Sequence, residues 1–204
     1  MIRNVVFDFG GVVVGYDPEG YMKKLYGDGP AGRYILDGLF GSELWRDLDL
    51  GLVTRREAYA PILERADAAG FGSEMRFVMD HWFEDMMGTR EDTVALARRL
   101  RDRGTHVFYL TNMQRDVWEK LIARGLRDIF EGGITSFEAR MTKPDIRIYR
   151  RLLSKLRIRP EETVFFDDME RNVAGARAAG IRGELFTDAG SAEDTLRALG
   201  VFEE

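Results

Sequence analysis

The sequence predicts an α/β fold: a parallel sheet covered by helices on both faces, with an all-helical block inserted after the first strand. Three observations predict it. Short apolar runs rich in β-branched and aromatic residues recur at residues 5–9, 106–110 and 163–166. Stretches with apolar residues at helical spacing alternate with these runs from residue 91 onward. Residues 16–88 contain no convincing strand run and are broken by glycines into helical pieces.

The elements follow in order. Residues 5–9 end in Gly10-Gly11, the pattern of a buried strand followed by a tight turn. The inserted block reads as helices over about residues 18–26, 32–38, 55–69 and 73–83. A helix over about 91–103 turns Val94, Leu96, Ala97 and Leu100 inward and leads to the 106–110 strand. A helix over about 115–124, a weak strand at 133–135 and a helix over about 145–156 come next, the last with Ile148, Tyr149, Leu152, Leu153 and Leu156 on one stripe. The 163–166 strand precedes a helix over about 170–179 that Gly180 stops. A weak strand at 182–186 and a helix opening at Ser191, with Asp194 in a capping-box position, close the chain.

At 204 residues, 45% hydrophobic and 32% charged, the chain suits one domain carrying an insertion; a disordered chain, a fibre and a disulfide mini-protein are excluded. Zero cysteines exclude disulfides, thiolate metal sites and a cysteine nucleophile, and are compatible with a reducing cytosol. The net charge of −5 is no footprint for nucleic acid or an anionic membrane. No apolar run approaches the ~20 residues of a membrane helix. The apolar start resembles a signal peptide only briefly: Asp8 interrupts it and no small-residue cleavage site follows, so it reads as a buried strand of a cytoplasmic protein. The inserted block holds 14 acidic and 8 basic residues, against 21 and 22 elsewhere, a balance that disfavours polyanionic ligands there.

Three strands end in reactive side chains: Asp8, then Thr111-Asn112, then Asp167-Asp168. In open α/β sheets ligands bind outside the carboxyl ends of strands, so these groups are expected to converge, with Lys143 reaching the same edge. An acid buried in VVFDFGG is costly unless a cation compensates it. A helix cap needs one acid, and Asp167-Asp168 supplies two after an apolar strand. The other polar features read as structural. The Arg-rich stretches 98–103 and 147–159 are solvated helix faces, His106 opens a strand, and His81 lies in the inserted block, where a substrate contact or proton shuttle is the alternative to a structural role. Trp45, Trp82 and Met75, Met79, Met86 and Met87 pack the inserted block.

Four motifs stand in order along the whole chain: Val6-Phe7-Asp8-Phe9-Gly10-Gly11-Val12, then Leu110-Thr111-Asn112, then Lys143-Pro144-Asp145 with Ile148-Tyr149, then Phe165-Phe166-Asp167-Asp168 leading to Asn172 and Gly175-Ala176. Together they resemble the haloacid dehalogenase (HAD) superfamily in its phosphatase branch. The form is nearest to small bacterial phosphatases acting on sugar phosphates, in particular α-D-glucose 1-phosphate.

The resemblance implies a Rossmann-like catalytic core of residues 1–15 and 89–204 and a helical cap of residues 16–88. It implies Mg²⁺-dependent hydrolysis of a phosphate monoester, with Asp8 as nucleophile and metal ligand and an aspartyl-phosphate intermediate. The Gly10 carbonyl and Asp168 would also bind the metal, Asp167 directly or through water. Thr111, Asn112 and the amides of the Gly10-Gly11 turn would meet phosphate oxygens, and Lys143 would offset the charge repulsion between nucleophile and phosphate. The implied partner is a small phosphate ester, with neither nucleic acid nor membrane, on a monomer or small homo-oligomer.

One position departs from the pattern. Most phosphatases of the superfamily carry a second aspartate two residues after the nucleophile, and here that residue is Gly10; the sugar-phosphatase subgroup also has glycine there. Two alternatives remain open. A metal-free 2-haloacid dehalogenase also lacks that aspartate, although two unpaired acids beside Asp8 argue against it. A low-turnover sugar-phosphate-sensing module is the other.

Overall fold

Five strands form one sheet in the order β3-β2-β1-β4-β5. They are β1 (Asn4–Phe7), β2 (His106–Thr111), β3 (Gly132–Thr135), β4 (Thr163–Asp167) and β5 (Arg182–Leu185). All pairings are parallel, with Phe7 opposite Tyr109 on one side and Phe166 on the other. The computed structural model describes residues 1–202. The α/β class expected from the alternation of strands and helices is the one observed.

Buried alternation sorts the strand side chains onto two faces. Val5, Phe7, Val107, Tyr109, Val164 and Phe166 face one core, covered by α6 (Glu91–Asp102), α7 (Arg115–Ala123) and α11 (Ala189–Ala198). Val6, Phe108, Leu110, Ile134 and Phe165 face the other, covered by α9 (Ile146–Leu156) and α10 (Glu170–Ala178), with the one-turn α8 (Ser136–Ala139) directly after β3. Because both faces are buried, the strands are continuous apolar runs and not alternating ones. Phe9 leaves β1 and packs its ring 5.0 Å from Trp118 and 5.2 Å from Phe130.

Between β1 and α6 lie α1 (Pro18–Tyr26), α2 (Pro30–Ile35), a π-helical turn (Leu36–Phe40), α3 (Glu43–Asp49), α4 (Arg55–Ala69) and α5 (Gly72–Met86). Trp45 and Trp82 meet edge to face at 5.1 Å in the interior of this block. Arg55 of α4 pairs with Asp116 of α7, and Arg124 pairs with Glu84 of α5 at 2.8 Å, so the block is tied to the sheet layer by charge. No helix among the described residues is long and apolar enough to cross a membrane.

Three local expectations differ from the structure. The helix expected at 32–38 starts at Pro30, whose fixed φ favours the first helical position, and passes into the π-helical turn. The short α3 is absent from the sequence reading; Ser42 caps it by accepting from Trp45 N at 3.1 Å. The last helix opens at Ala189, because Asp188 and not Ser191 is the cap, its carboxylate accepting from Ser191 N at 2.8 Å. The helix expected over about 145–156 is observed as α9, with Asp145 as its cap accepting from Arg147 N at 2.9 Å after a cis Lys143–Pro144 peptide.

Gly175 lets α10 lie against the start of α9. A Cβ there would stand 2.8 Å from Pro144 O and 2.9 Å from Tyr149 Oη. Gly175→Ala is therefore expected to lower stability by about 1–3 kcal/mol through overpacking. Urea unfolding of the variant beside wild type checks this, and equal midpoints would refute it.

Candidate active site

Asp8 sits one residue beyond β1, and its amide donates to Phe166 O of β4 at 2.9 Å. Strand order reverses direction at β1, so the gap between β1 and β4 is the crevice where open α/β sheets accept ligands. Asp8 Oδ1 accepts from Phe9 N at 2.7 Å and from Lys143 Nζ at 2.8 Å. Lys143 Nζ also donates to Asp167 Oδ2 at 2.6 Å. Asp167 is held on its other oxygen by Met169 N and Asn172 Nδ2, each at 2.9 Å. Tyr149 Oη donates to Asn172 O at 2.8 Å and fixes the start of α10 behind it.

Lys143 arrives on the loop before α9, and Asn112 sets its position. Asn112 Oδ1 accepts from Lys143 N at 2.8 Å while its Nδ2 donates to Lys143 O at 3.1 Å. Burial alone would push the Lys143 ammonium down, but the charges of Asp8 and Asp167 outweigh it and hold the pKa above the ordinary lysine value. Lys143 thus stays charged at 3% exposure.

One carboxylate oxygen from each of Asp8, Asp167 and Asp168 lies within 4.8 Å of the others. A single ammonium among three carboxylates leaves negative charge in excess. Burial is the largest force raising Asp8, opposed by Lys143 and reinforced by Asp167 and Asp168; burial and then Asp167 raise Asp168. An all-oxygen donor set with surplus negative charge suits a hard divalent cation. Gly11 makes room for the Asp168 carboxylate. Its φ is +75°, and a Cβ would lie 2.1 Å from Asp168 Oδ2.

The cluster opens into a cavity of about 750 Å³, within the size range of small-molecule sites. Asp8, Gly10, Asn112, Lys143 and Asp168 line it. Gly11 and Asp167 lie behind that wall, and Thr111 is completely buried with its hydroxyl 3.4 Å from Asn112 O. His81 stays outside the site, its Nδ1 2.8 Å from Phe77 O, and His106 pairs with Glu131 at 2.8 Å.

The inserted block supplies a further wall of the cavity, with Tyr16, Phe40, Trp45, Arg46, Asp49 and Trp82. Sequence reasoning placed the two tryptophans in the block's interior; they are buried there and also present edges to the cavity. It missed Asp49, the last residue of α3, and Gln114, which is buried with Oε1 accepting from Arg55 Nη2 at 3.1 Å. Neither carries a motif. The one available signal for α3 was Ser42 ahead of Leu44, Trp45 and Leu48. Burial first, then the charge of Asp8, raises the Asp49 carboxyl to about 8. Burial, then Asp49, raises the Tyr16 phenol.

The sequence profile of a family described as haloacid dehalogenase-like hydrolase matches residues 2–180. The chain is 26% identical over 189 residues to drimenol cyclase drtB of Aspergillus calidoustus, covering 91% of this chain and 34% of that protein. It thus spans about a third of that relative. It is 27% identical over 201 residues to sesquiterpene phosphatase astK of Aspergillus oryzae, covering 97% of this chain and 96% of that protein. Among solved structures, a HAD family enzyme, bt-2542 of Bacteroides thetaiotaomicron in complex with magnesium and inorganic phosphate, superposes with a TM-score of 0.70 at 24% identity, covering 93% and 96% of the two chains. That likeness establishes a shared fold.

Lys143→Met leaves Asp8 and Asp167 buried without a cation, and is expected to cost about 3–5 kcal/mol in metal-free urea unfolding at neutral pH. An unchanged midpoint would contradict the ion-pair geometry. Asp49 gives a separate pH signature. Its folded pKa is raised from 3.8 to about 8, so its stabilising contribution is complete below the lower value and lost as pH rises through the upper one. In EDTA, Asp49→Asn should gain stability relative to wild type between pH 5 and pH 8. A difference independent of pH would show that the carboxyl is not desolvated.

Proposed function

The chain belongs to the haloacid dehalogenase-like hydrolases, and from that premise we propose that it is a Mg²⁺-dependent phosphatase acting on a small phosphate monoester, a sugar phosphate. The observation that carries this reading is the Asp8–Lys143–Asp167 charge cluster with Asp168 beside it, at the strand ends and open to a ligand-sized cavity. Three carboxylates around one ammonium favour a metal-dependent site over a metal-free one. The magnesium and phosphate bound by the bt-2542 enzyme support the same assignment.

In this reading Asp8, Asp168 and the Gly10 carbonyl hold Mg²⁺, with Asp167 joining directly or through water. When bound, the cation neutralises charge on the phosphate so that an anionic nucleophile can approach. The free oxygen of Asp8 attacks phosphorus, and water later cleaves the aspartyl-phosphate. Lys143 fixes the attacking carboxylate and offsets charge that builds at phosphorus. Asn112 keeps one amide hydrogen beyond its bond to Lys143 O, and that hydrogen together with the Gly10-Gly11 amides meets phosphate oxygens. Thr111 completes this wall from beneath.

Residues 16–88 act as the cap over a core of 1–15 and 89–204, excluding bulk water and selecting the leaving group. The aromatic edges of Phe40, Trp45 and Trp82 together with Arg46 and Arg171 suit a polyhydroxylated ring, which presents both apolar faces and hydroxyls. The motif form resembles that of the α-D-glucose 1-phosphate phosphatases, which supports a sugar phosphate as substrate. The sesquiterpene phosphatase relative makes an isoprenoid phosphate the contrasting substrate.

Phosphate release over a panel of sugar phosphates, with α-D-glucose 1-phosphate and a sesquiterpenyl phosphate included, tests the assignment. Asp8→Asn is expected to lose at least about 10³-fold in kcat. EDTA should silence wild type and added Mg²⁺ restore it. Equal release by wild type and Asp8→Asn would remove Asp8 as nucleophile. Preference for the sesquiterpenyl ester would overturn the sugar assignment.

A further inference from the structure

We propose that Asp49 is the catalytic acid and base of the reaction, delivering a proton to the leaving oxygen and later accepting one from the attacking water. The proposal deepens the phosphatase reading and rests on it.

An alkoxide is a poor leaving group, so the departing oxygen needs a proton, and the attacking water must lose one. The residue two beyond the nucleophile, Gly10, has no side chain to do this. No histidine lines the cavity among the described residues. Its acidic side chains are Asp8, Glu43, Asp49, Asp145 and Asp168. Asp8 is the nucleophile, and Asp168 lies against Gly11 in the carboxylate cluster. Asp145 is clamped by Arg147, whose Nε stands 2.9 Å from Oδ2. Glu43 is exposed. Asp49 is the remaining one: half-buried, on the cavity wall, with no hydrogen bond to its carboxyl among the described residues.

The backbone holds Asp49 over the site. Its carbonyl accepts from Ser136 Oγ, and the same hydroxyl accepts from Met113 N at 2.9 Å, so α3 is pinned to the loops at the ends of β2 and β3. Two residues on, Gly51 at φ +64° lies so close to Phe137 that a Cβ would be 3.0 Å from its carbonyl oxygen. These contacts anchor the end of α3, so Asp49 is presented to the cavity it shares with Asp8 from a fixed backbone. Burial keeps it protonated near neutrality, the form the first step requires.

The steps balance. As Asp8 Oδ bonds to phosphorus, the bond from phosphorus to the ester oxygen breaks, and protonated Asp49 gives its proton to that oxygen, releasing the alcohol. Ionised Asp49 then takes a proton from water as the water oxygen bonds to phosphorus. The bond from phosphorus to Asp8 breaks, inorganic phosphate leaves, and both aspartates return to their starting forms.

Wild type, Asp49→Asn and Asp8→Asn are compared with Mg²⁺ on two probes: the sugar phosphate wild type hydrolyses fastest, and p-nitrophenyl phosphate, whose leaving group departs without protonation. Asp49→Asn should lose about 10²–10⁴-fold in kcat on the sugar phosphate. On p-nitrophenyl phosphate it should keep a near-wild-type burst of one p-nitrophenolate per protein, followed by slow turnover with phosphoryl-Asp8 trapped by acid quench. Asp8→Asn should show neither burst nor turnover. Wild-type turnover of the sugar phosphate by Asp49→Asn overturns the Asp49 role and leaves the phosphatase standing. Absence of the burst in Asp49→Asn overturns it too, since the loss would then be structural. A wild type that releases phosphate from no ester overturns both readings.

Discussion

A buried ammonium shared by two carboxylates is the constraint around which this molecule is arranged. Lys143 lies between Asp8, just past β1, and Asp167, at the end of β4, so one side chain joins the two central strands at their carboxyl ends. Desolvating three charges costs several kcal/mol each, and the cost is met only by good geometry and by hydrogen bonds to the remaining lone pairs. The structure provides both. Asn112 grips the Lys143 backbone in two directions, and Met169 N and Asn172 hold the far oxygen of Asp167. Asp168 then adds a third acid beside the pair, and the surplus negative charge suits the pocket to a hard cation.

The same constraint explains why so much of the local packing is small or polar. Gly11 yields space to the Asp168 carboxylate, and Gly175 yields space to Pro144 O and Tyr149. Tyr149 is a core residue by burial, yet its hydroxyl serves the start of α10 and through it Asn172. Core packing and site geometry are therefore one problem here. A change in α9 or α10 moves the Lys143 loop and the Asp167 partner together.

The inserted helices complete a site the sheet leaves half built. Their aromatic edges wall the cavity, and Arg55, Arg124 and the Ser136–Asp49 contact tie them to the layer below. Arg55 is held in turn by Tyr59 Oη, which also accepts from Trp82 Nε1 at 3.0 Å. The link from α7 to the cavity wall thus runs through hydrogen bonds, and the wall's position depends on polar groups that have no sequence signature.

The strands and most helices were legible because burial on both faces imposes continuous apolar runs and helices impose a 3.6-residue stripe. Asp8, Lys143 and Asp167-Asp168 were legible because charges in or beside such runs are expensive and occur where something compensates them. Three things came only with the tertiary structure. The short α3 carries too little periodicity to be seen, the Asp188 cap competes locally with Ser191, and Asp49 acquires its environment from Tyr16, Ser136 and Asp8, all distant in sequence. Sequence alone determined which groups bear charge at the strand ends, since that follows from local composition. Only the folded chain decided which of them meet across the crevice and which acid from the inserted helices faces them, since proximity between distant segments is set by packing.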